Sequence, residues 1–96
     1  MQIEQQEKGV RGRFYVGEPE QPQAEMVYRK DAKDNIIIEH TEVSDELRGK
    51  NVGFQLVRTV VEYAREHNIK ILPLCPFAKS VFDKKPEFDD VRIKHS

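Results

Sequence analysis

The change of hydrophobic period near residue 52 does most to limit what this chain can fold into. From Asn35 to Val43 the residues alternate as in a β-strand. That period places Ile36, Ile38, His40 and Glu42 on one face and Ile37, Glu39, Thr41 and Val43 on the other. Both faces begin apolar and turn polar, as expected of a central strand buried at one end and lining a site at the other. From Val52 to His67 the spacing becomes helical, with Gly53, Leu56, Val57, Val60, Val61 and Ala64 on one stripe. Arg58 and Glu62 stand four apart on the wet face. Asn68 suits the left-handed residue that ends such a helix, and Ile69 to Cys75 reads as strand again. Strand, helix and strand in direct succession make a crossover, which sets the two strands parallel.

The flanking segments complete a mixed α/β sheet. Val10 to Val16 reads as a first strand and Ala24 to Arg29 as a second. Gly17 to Gln23 is expected to be a loop, because Pro19 and Pro22 bring no N–H to a ladder. Polar Lys30 to Asn35 turns the second strand into the third, a hairpin. Pro76 opens a short helix through about Lys84, with Phe77, Val81 and Phe82 towards the core. Pro86 stops it, and a last short strand is expected around Asp90 to Ile93. The order is β-β-β-α-β-α, and 96 residues suit one domain spanning 1–96.

Sixteen Lys and Arg residues nearly balance seventeen Asp and Glu. No global field recruits nucleic acid or an anionic membrane, so an anion site must be local and its ligand small. The single cysteine, Cys75, excludes an intramolecular disulfide and a cysteine zinc cage. No His/Asp/Glu grouping has metal-ligand spacing. The first six residues lack the build of a signal peptide and no apolar run has membrane-span length, which points to a cytosolic protein.

Between strand and helix stands Arg48-Gly49-Lys50-Asn51-Val52-Gly53. One reading is a glycine-assisted turn with solvated charges. The other is an anion site: the first N–H groups of a helix lack partners, its dipole is positive there, and the glycines admit a close ligand. The pattern is neither a P-loop nor the dinucleotide fingerprint.

The string from Ile36 to Val57 resembles the central motif of the GNAT superfamily of acetyl-coenzyme A-dependent N-acetyltransferases. Val43 ends the strand, Arg48 leads the loop and Gly53 closes it. Asn51 stands where the middle glycine usually is, a departure that asparagine's tolerance of unusual backbone angles accommodates. The run Cys75-Pro76-Phe77-Ala78-Lys79 is similar to that of a small single-domain branch, and the likeness extends over about residues 10 to 92. It implies that the N–H groups of Asn51, Val52 and Gly53, with Arg48, Gly49 and Lys50, hold the pyrophosphate of acetyl-coenzyme A. It also implies that the backbone of Glu42 and Val43 pairs with the pantetheine arm where the parallel strands splay. Pro73 accords with a splayed strand, and equally with an edge strand.

Acetyl transfer needs a neutral amine, a polarised carbonyl and a proton for the departing thiolate. Many family members take that proton from a tyrosine, and its approximate counterpart here is Phe82. Cys75, at the start of the second helix, is the substitute as proton donor or acetyl-accepting nucleophile; a buried, inert cysteine is the plain alternative. His40 is the candidate base, since imidazole changes charge near neutrality, or else a strand histidine bonded to a neighbour. Glu39 and Glu42, expected on opposite faces, could assist or replace it. His67 and His95 are expected in solvent. The acceptor-side helices of larger relatives are absent, which leaves a cleft open to a protein or peptide amine or completed by another subunit. A non-catalytic acyl-coenzyme A-binding or protein-interaction module on the same fold is the rival expectation.

Overall fold

The computed structural model describes residues 2–93; His95 lies outside them. Among the described residues, five strands form one sheet in chain order: β1 (Glu4–Lys8), β2 (Arg11–Glu18), β3 (Gln21–Lys30), β4 (Ile36–Val43) and β5 (Ile71–Pro73). The first four pair antiparallel, and β5 runs parallel to β4 as the crossover requires. The crossover helix α1 (Val52–His67) has the limits read from its period, and α2 (Pro76–Lys84) follows β5. No described helix is long and apolar enough to cross a membrane.

One apolar cluster joins both helices to the sheet. Phe14, Met26, Tyr28, Ile36 and Ile38 meet Leu56, Val57, Val60 and Val61 of α1. Burying each such side chain contributes about 1.5–3 kcal/mol. An exposed pair such as Arg58–Glu62, at 3.6 Å, contributes about 0.3–0.5 kcal/mol. Packing of the stripe therefore decides where α1 lies.

Four expectations are corrected. Strand β1 precedes Val10 to Val16, the first strand expected from sequence: Glu4–Lys8 is exposed throughout, so no buried alternation marks it. The segment expected as a loop from Gly17 to Gln23 is mostly strand, with Glu18 opposite Gln21 and only Pro19 and Glu20 turning. Pro22 is tolerated because the β3–β4 pairing begins only at Ala24 and the β2–β3 register shifts beside it. The strand expected over Ile69 to Cys75 shrinks to three residues. Ile69 N–H is taken by the Ala64 carbonyl at the helix end, and Leu74 and Cys75 both donate to the Ile38 carbonyl. Finally, Pro86 starts a 3-10 segment, Pro86–Val91, and the last expected strand reduces to a bridge between Arg92 and Ile71.

The fifth correction bears on function. Val27 pairs with His40 but Tyr28 pairs with Ile38, so Glu39 is an extra residue in β4. Such a bulge reverses the alternation beyond it. Thr41 and Val43 pair with the buried Met26 and Ala24 and so take the core face of Ile36 and Ile38. His40 and Glu42 pair with Val27 and Glu25 on the opposite face, away from that of Ile36 and Ile38. Glu39 joins them there through Arg29 at 3.1 Å and Arg11 at 3.3 Å. Glu39 and Glu42 thus share a face rather than pointing apart.

Candidate active site

The same bulge marks where β4 and β5 part. Their pairing covers only Ile36, Ile37 and Ile38 opposite Ile71, Leu72 and Pro73. Pro73 has no N–H to continue the ladder, and the chain then turns into α2 with Cys75 as its N-cap. From Glu39 to Val43, β4 keeps β3 on one side and no longer has β5 on the other.

Beside this gap a cavity of about 820 Å³ opens. Thr41 and Val43 of β4, Leu47, the loop residues Arg48, Gly49 and Asn51, and Val52, Gly53 and Phe54 of α1 form one side. Phe77, Ser80, Val81 and Lys84 of α2, with Lys85, form the other. Six of the residues anticipated around a cofactor therefore come together here: Val43, Arg48, Gly49, Asn51, Val52 and Gly53. Glu42 and Lys50 are exposed and are not walls of this cavity.

The loop owes its shape to two left-handed residues, Gly49 at φ 82° and Asn51 at φ 64°. Asn51 is the N-cap of α1, but its side chain makes no capping bond. The first bond into the helix runs from Gln55 N–H to the Asn51 carbonyl at 3.1 Å, so the N–H groups of Val52, Gly53 and Phe54 precede any intrahelical acceptor. No acidic residue stands in the first turn, where acids ordinarily offset the dipole. Gly53 is needed for a close approach: a Cβ there would lie 2.5 Å from the Phe77 ring. Arg48 is exposed and meets Asp45 at 3.2 Å, a contact weak enough in water to be exchanged for a ligand.

Several walls were not anticipated from sequence. Phe77 was expected in the core but is 41% exposed; Val81 and Phe82 are buried as expected, and Ala78 joins them. Lys85 places its ammonium 5.3 Å from the Phe54 ring centre, and Phe54 stacks on Phe88. Lys84 and Lys85 thus line the same cavity as Arg48. Their signal was available: Phe77, Ser80, Val81 and Lys84 recur at i, i+3, i+4 and i+7, one face of a helix.

Cys75 is 5% exposed and is not a cavity wall. Its thiol donates to Thr41 Oγ1 at 3.3 Å, and Thr41 does line the cavity. His40 is not brought together with Cys75. It stands on the other sheet face, exposed, with Nε2 2.6 Å from Glu42 Oε1. His67 is exposed, as expected, and stacks on Tyr63.

The sequence profile of the GCN5-related N-acetyl-transferase family matches residues 13–91. A GCN5-like protein from Staphylococcus aureus, solved by NMR in solution, is 40% identical, with a TM-score of 0.78 over 99% of this chain and 90% of its own. A predicted acetyltransferase from Clostridium acetobutylicum, crystallised with acetyl-CoA, is similar in fold, with a TM-score of 0.60 at 15% identity. A ribosomal-protein-alanine N-acetyltransferase from Brucella melitensis biovar Abortus 2308 has a TM-score of 0.56 at 12% identity. Each of these two alignments covers 91% of this chain but only 60% and 66% of the larger protein. No curated protein matches. The profile begins within β2 and spans β3 to β5, the bulge, the loop and both helices, and the chain belongs to the GCN5-related N-acetyl-transferase family.

Proposed function

We propose that this protein is an acetyl-coenzyme A-dependent N-acetyltransferase acting on an amine. The observation that carries the reading is the start of α1, where N–H groups without intrahelical acceptors open on a cavity flanked by Arg48 and by Lys84 and Lys85. The N–H groups of Asn51, Val52 and Gly53, with Arg48, Gly49 and Lys50, hold the pyrophosphate. The backbone of Glu42 and Val43, on the β4 edge that β5 has left, pairs with the pantetheine arm. Acetyl-coenzyme A supplies the acetyl group as a thioester at the gap between the strands.

Acid and base act from opposite faces of that gap. Cys75, on the helix face, serves as proton donor; its burial argues against direct attack as a nucleophile. His40, held by Glu42 on the outer face, takes the proton of an amine arriving from that side. The β2–β3 turn of two residues leaves this approach open to a protein or peptide amine.

Calorimetric titration of acetyl-coenzyme A tests the first half. Micromolar binding, lost in Arg48→Ala/Lys50→Ala, is expected; no heat from the wild type removes the reading. For the second half, Cys75→Ser and His40→Ala should each slow release of coenzyme A in the presence of a panel of peptide and small amines. One observation favours a non-catalytic binding module instead: Phe82, the counterpart of the usual tyrosine, is 1% exposed and packs against Phe88. Binding without turnover on any amine would select that module.

A further inference from the structure

Cys75 has no face on the cavity, and Thr41 stands between them. The geometry points to Thr41 as the catalytic residue through which Cys75 acts: its hydroxyl gives a proton to the leaving sulfur in the cavity and takes the proton of the buried thiol. The inference rests on the acetyltransferase reading but not on any known property of the loop. It follows from the bulge at Glu39. Without that extra residue His40 would occupy the core face and Thr41 would point to the outer face, out of reach of Cys75.

Three further observations fix the arrangement. The Cys75 N–H donates to the Ile38 carbonyl at 3.0 Å, and its carbonyl accepts from Lys79 N–H at 2.9 Å. Both backbone groups of Cys75 are thereby held, and the thiol donates to Thr41 Oγ1. Among the described residues, no other side-chain hydrogen bond of Thr41 competes for that oxygen. Its hydroxyl proton is therefore free to turn into the cavity it lines. As the thioester C–S bond breaks, Thr41 gives its hydroxyl proton to the departing sulfur and takes the proton of Cys75. Cys75, left as thiolate, recovers by way of Thr41 and cavity water the proton that the acceptor amine loses on becoming an amide. Protons and charge balance over the cycle, and coenzyme A leaves as the thiol.

Cys75 is the sole cysteine, so the protein has a single S–H stretching band in the infrared. In the ligand-free protein that band should move to higher frequency in Thr41→Val, which loses the acceptor, and return to the wild-type position in Thr41→Ser, which keeps it. On saturation with acetyl-coenzyme A the band should shift in the wild type and in Thr41→Ser but not in Thr41→Val. Calorimetry on the same samples reports binding separately. Binding with the same band response in all three proteins overturns the relay and leaves the cofactor reading standing. Absence of binding in the wild type overturns both, while an unchanged ligand-free band in Thr41→Val removes Thr41 as the acceptor whatever binds. A folded state common to the three proteins is checked by circular dichroism, and Thr41→Ala, which also lacks the acceptor, takes the place of Thr41→Val if that variant fails to fold.

Discussion

Helix α1 is bracketed by two asparagines in the same left-handed conformation, Asn51 at φ 64°, ψ 23° and Asn68 at φ 57°, ψ 42°. The two ends nevertheless do opposite things. Beyond Asn68, the Ile69 N–H bonds the Ala64 carbonyl at 3.0 Å and the Lys70 N–H finds Asn35 Oδ1 at 2.8 Å. Arg65 in the last turn holds Asp90 at 2.9 Å and drives that carboxyl below the usual range. At Asn51 the side chain caps nothing, the first turn has no acid, and three N–H groups face the cavity end. A left-handed residue sets the direction in which a chain enters or leaves a helix. Whether the end is closed or left as a binding surface depends on which partners the rest of the chain brings to it.

Breaking the body between the two ends should have the largest effect. Leu56 is fully buried in the middle of the stripe, and Leu56→Ala is expected to cost about 2–5 kcal/mol of stability in urea denaturation. A loss below about 1 kcal/mol would mean that the ends hold themselves in place and the stripe does not. Next come two glycines, each lying under an aromatic ring. A Cβ on Gly12 would stand 2.5 Å from Tyr28, and one on Gly53 2.5 Å from Phe77. Tyr28 has no exposure and its hydroxyl is held by Glu7 and Gln5, so it cannot yield. Gly12→Ala should therefore cost about 1–3 kcal/mol of stability and leave ligand binding alone. Phe77, half free, can swing into the cavity. Gly53→Ala should then leave stability within about 1 kcal/mol and weaken acetyl-coenzyme A binding roughly tenfold, with Phe77→Ala restoring it. Equal stability losses at the two glycines would erase the distinction between a ring locked by its partners and one free to move.

Acid should act on the contact that ties β1 to the sheet. Burial raises the Glu7 carboxyl, but hydrogen bonds from Tyr28 and Lys30 outweigh it and hold the group below the ordinary 4.5. Burial, reinforced by Glu7, keeps the Tyr28 phenol well above its usual value, so it remains a donor. A carboxyl depressed by folding contributes its stability above the unfolded value and loses it as pH falls through the folded one. The contribution of Glu7 is thus expected to disappear below pH 4.5, and Glu7→Gln should flatten the stability profile in that window. An unchanged profile would show that β1 is held by its ladder alone.

The parts legible in sequence were those with a period or a backbone requirement. Helix α1 was readable to the residue because six apolar positions repeat every three or four and Asn68 ends the run. The parallel crossover followed from element order, and most of the loop residues were identifiable from the junction motif. What escaped has a common physical origin: it depends on pairing between distant strands. Strand β1 buries no side chain face, so its composition is that of a solvated tail; pairing with β2 and the Tyr28–Glu7 contact hold it. The bulge at Glu39 exists only in the register against Val27 and Tyr28, and a strict alternation therefore put His40 on the face of Ile36 and Ile38 and gave Thr41 no role. Phe77 was assigned to the core by its apolarity, although Gly53 opposite it is what lets the ring lie across the helix start.

The smallest effects should come from the two asparagines themselves, and they sharpen the comparison most. Glycine reaches the left-handed region without steric cost, but it also gives the unfolded chain more freedom, worth about 0.4–1 kcal/mol. Relief and entropy nearly cancel, so Asn51→Gly and Asn68→Gly should each change stability by less than about 1 kcal/mol, measured by thermal denaturation. Their effects on ligand should differ. At Asn51 the side chain makes no capping bond and stands on the cavity wall; its removal clears that wall and should tighten acetyl-coenzyme A binding about twofold, near 0.4 kcal/mol. At Asn68, sixteen helical residues away, affinity should not move. If Asn68→Gly changed affinity as much as Asn51→Gly, the helix would be transmitting the state of one end to the other. The open end could not then be treated as a local consequence of missing partners.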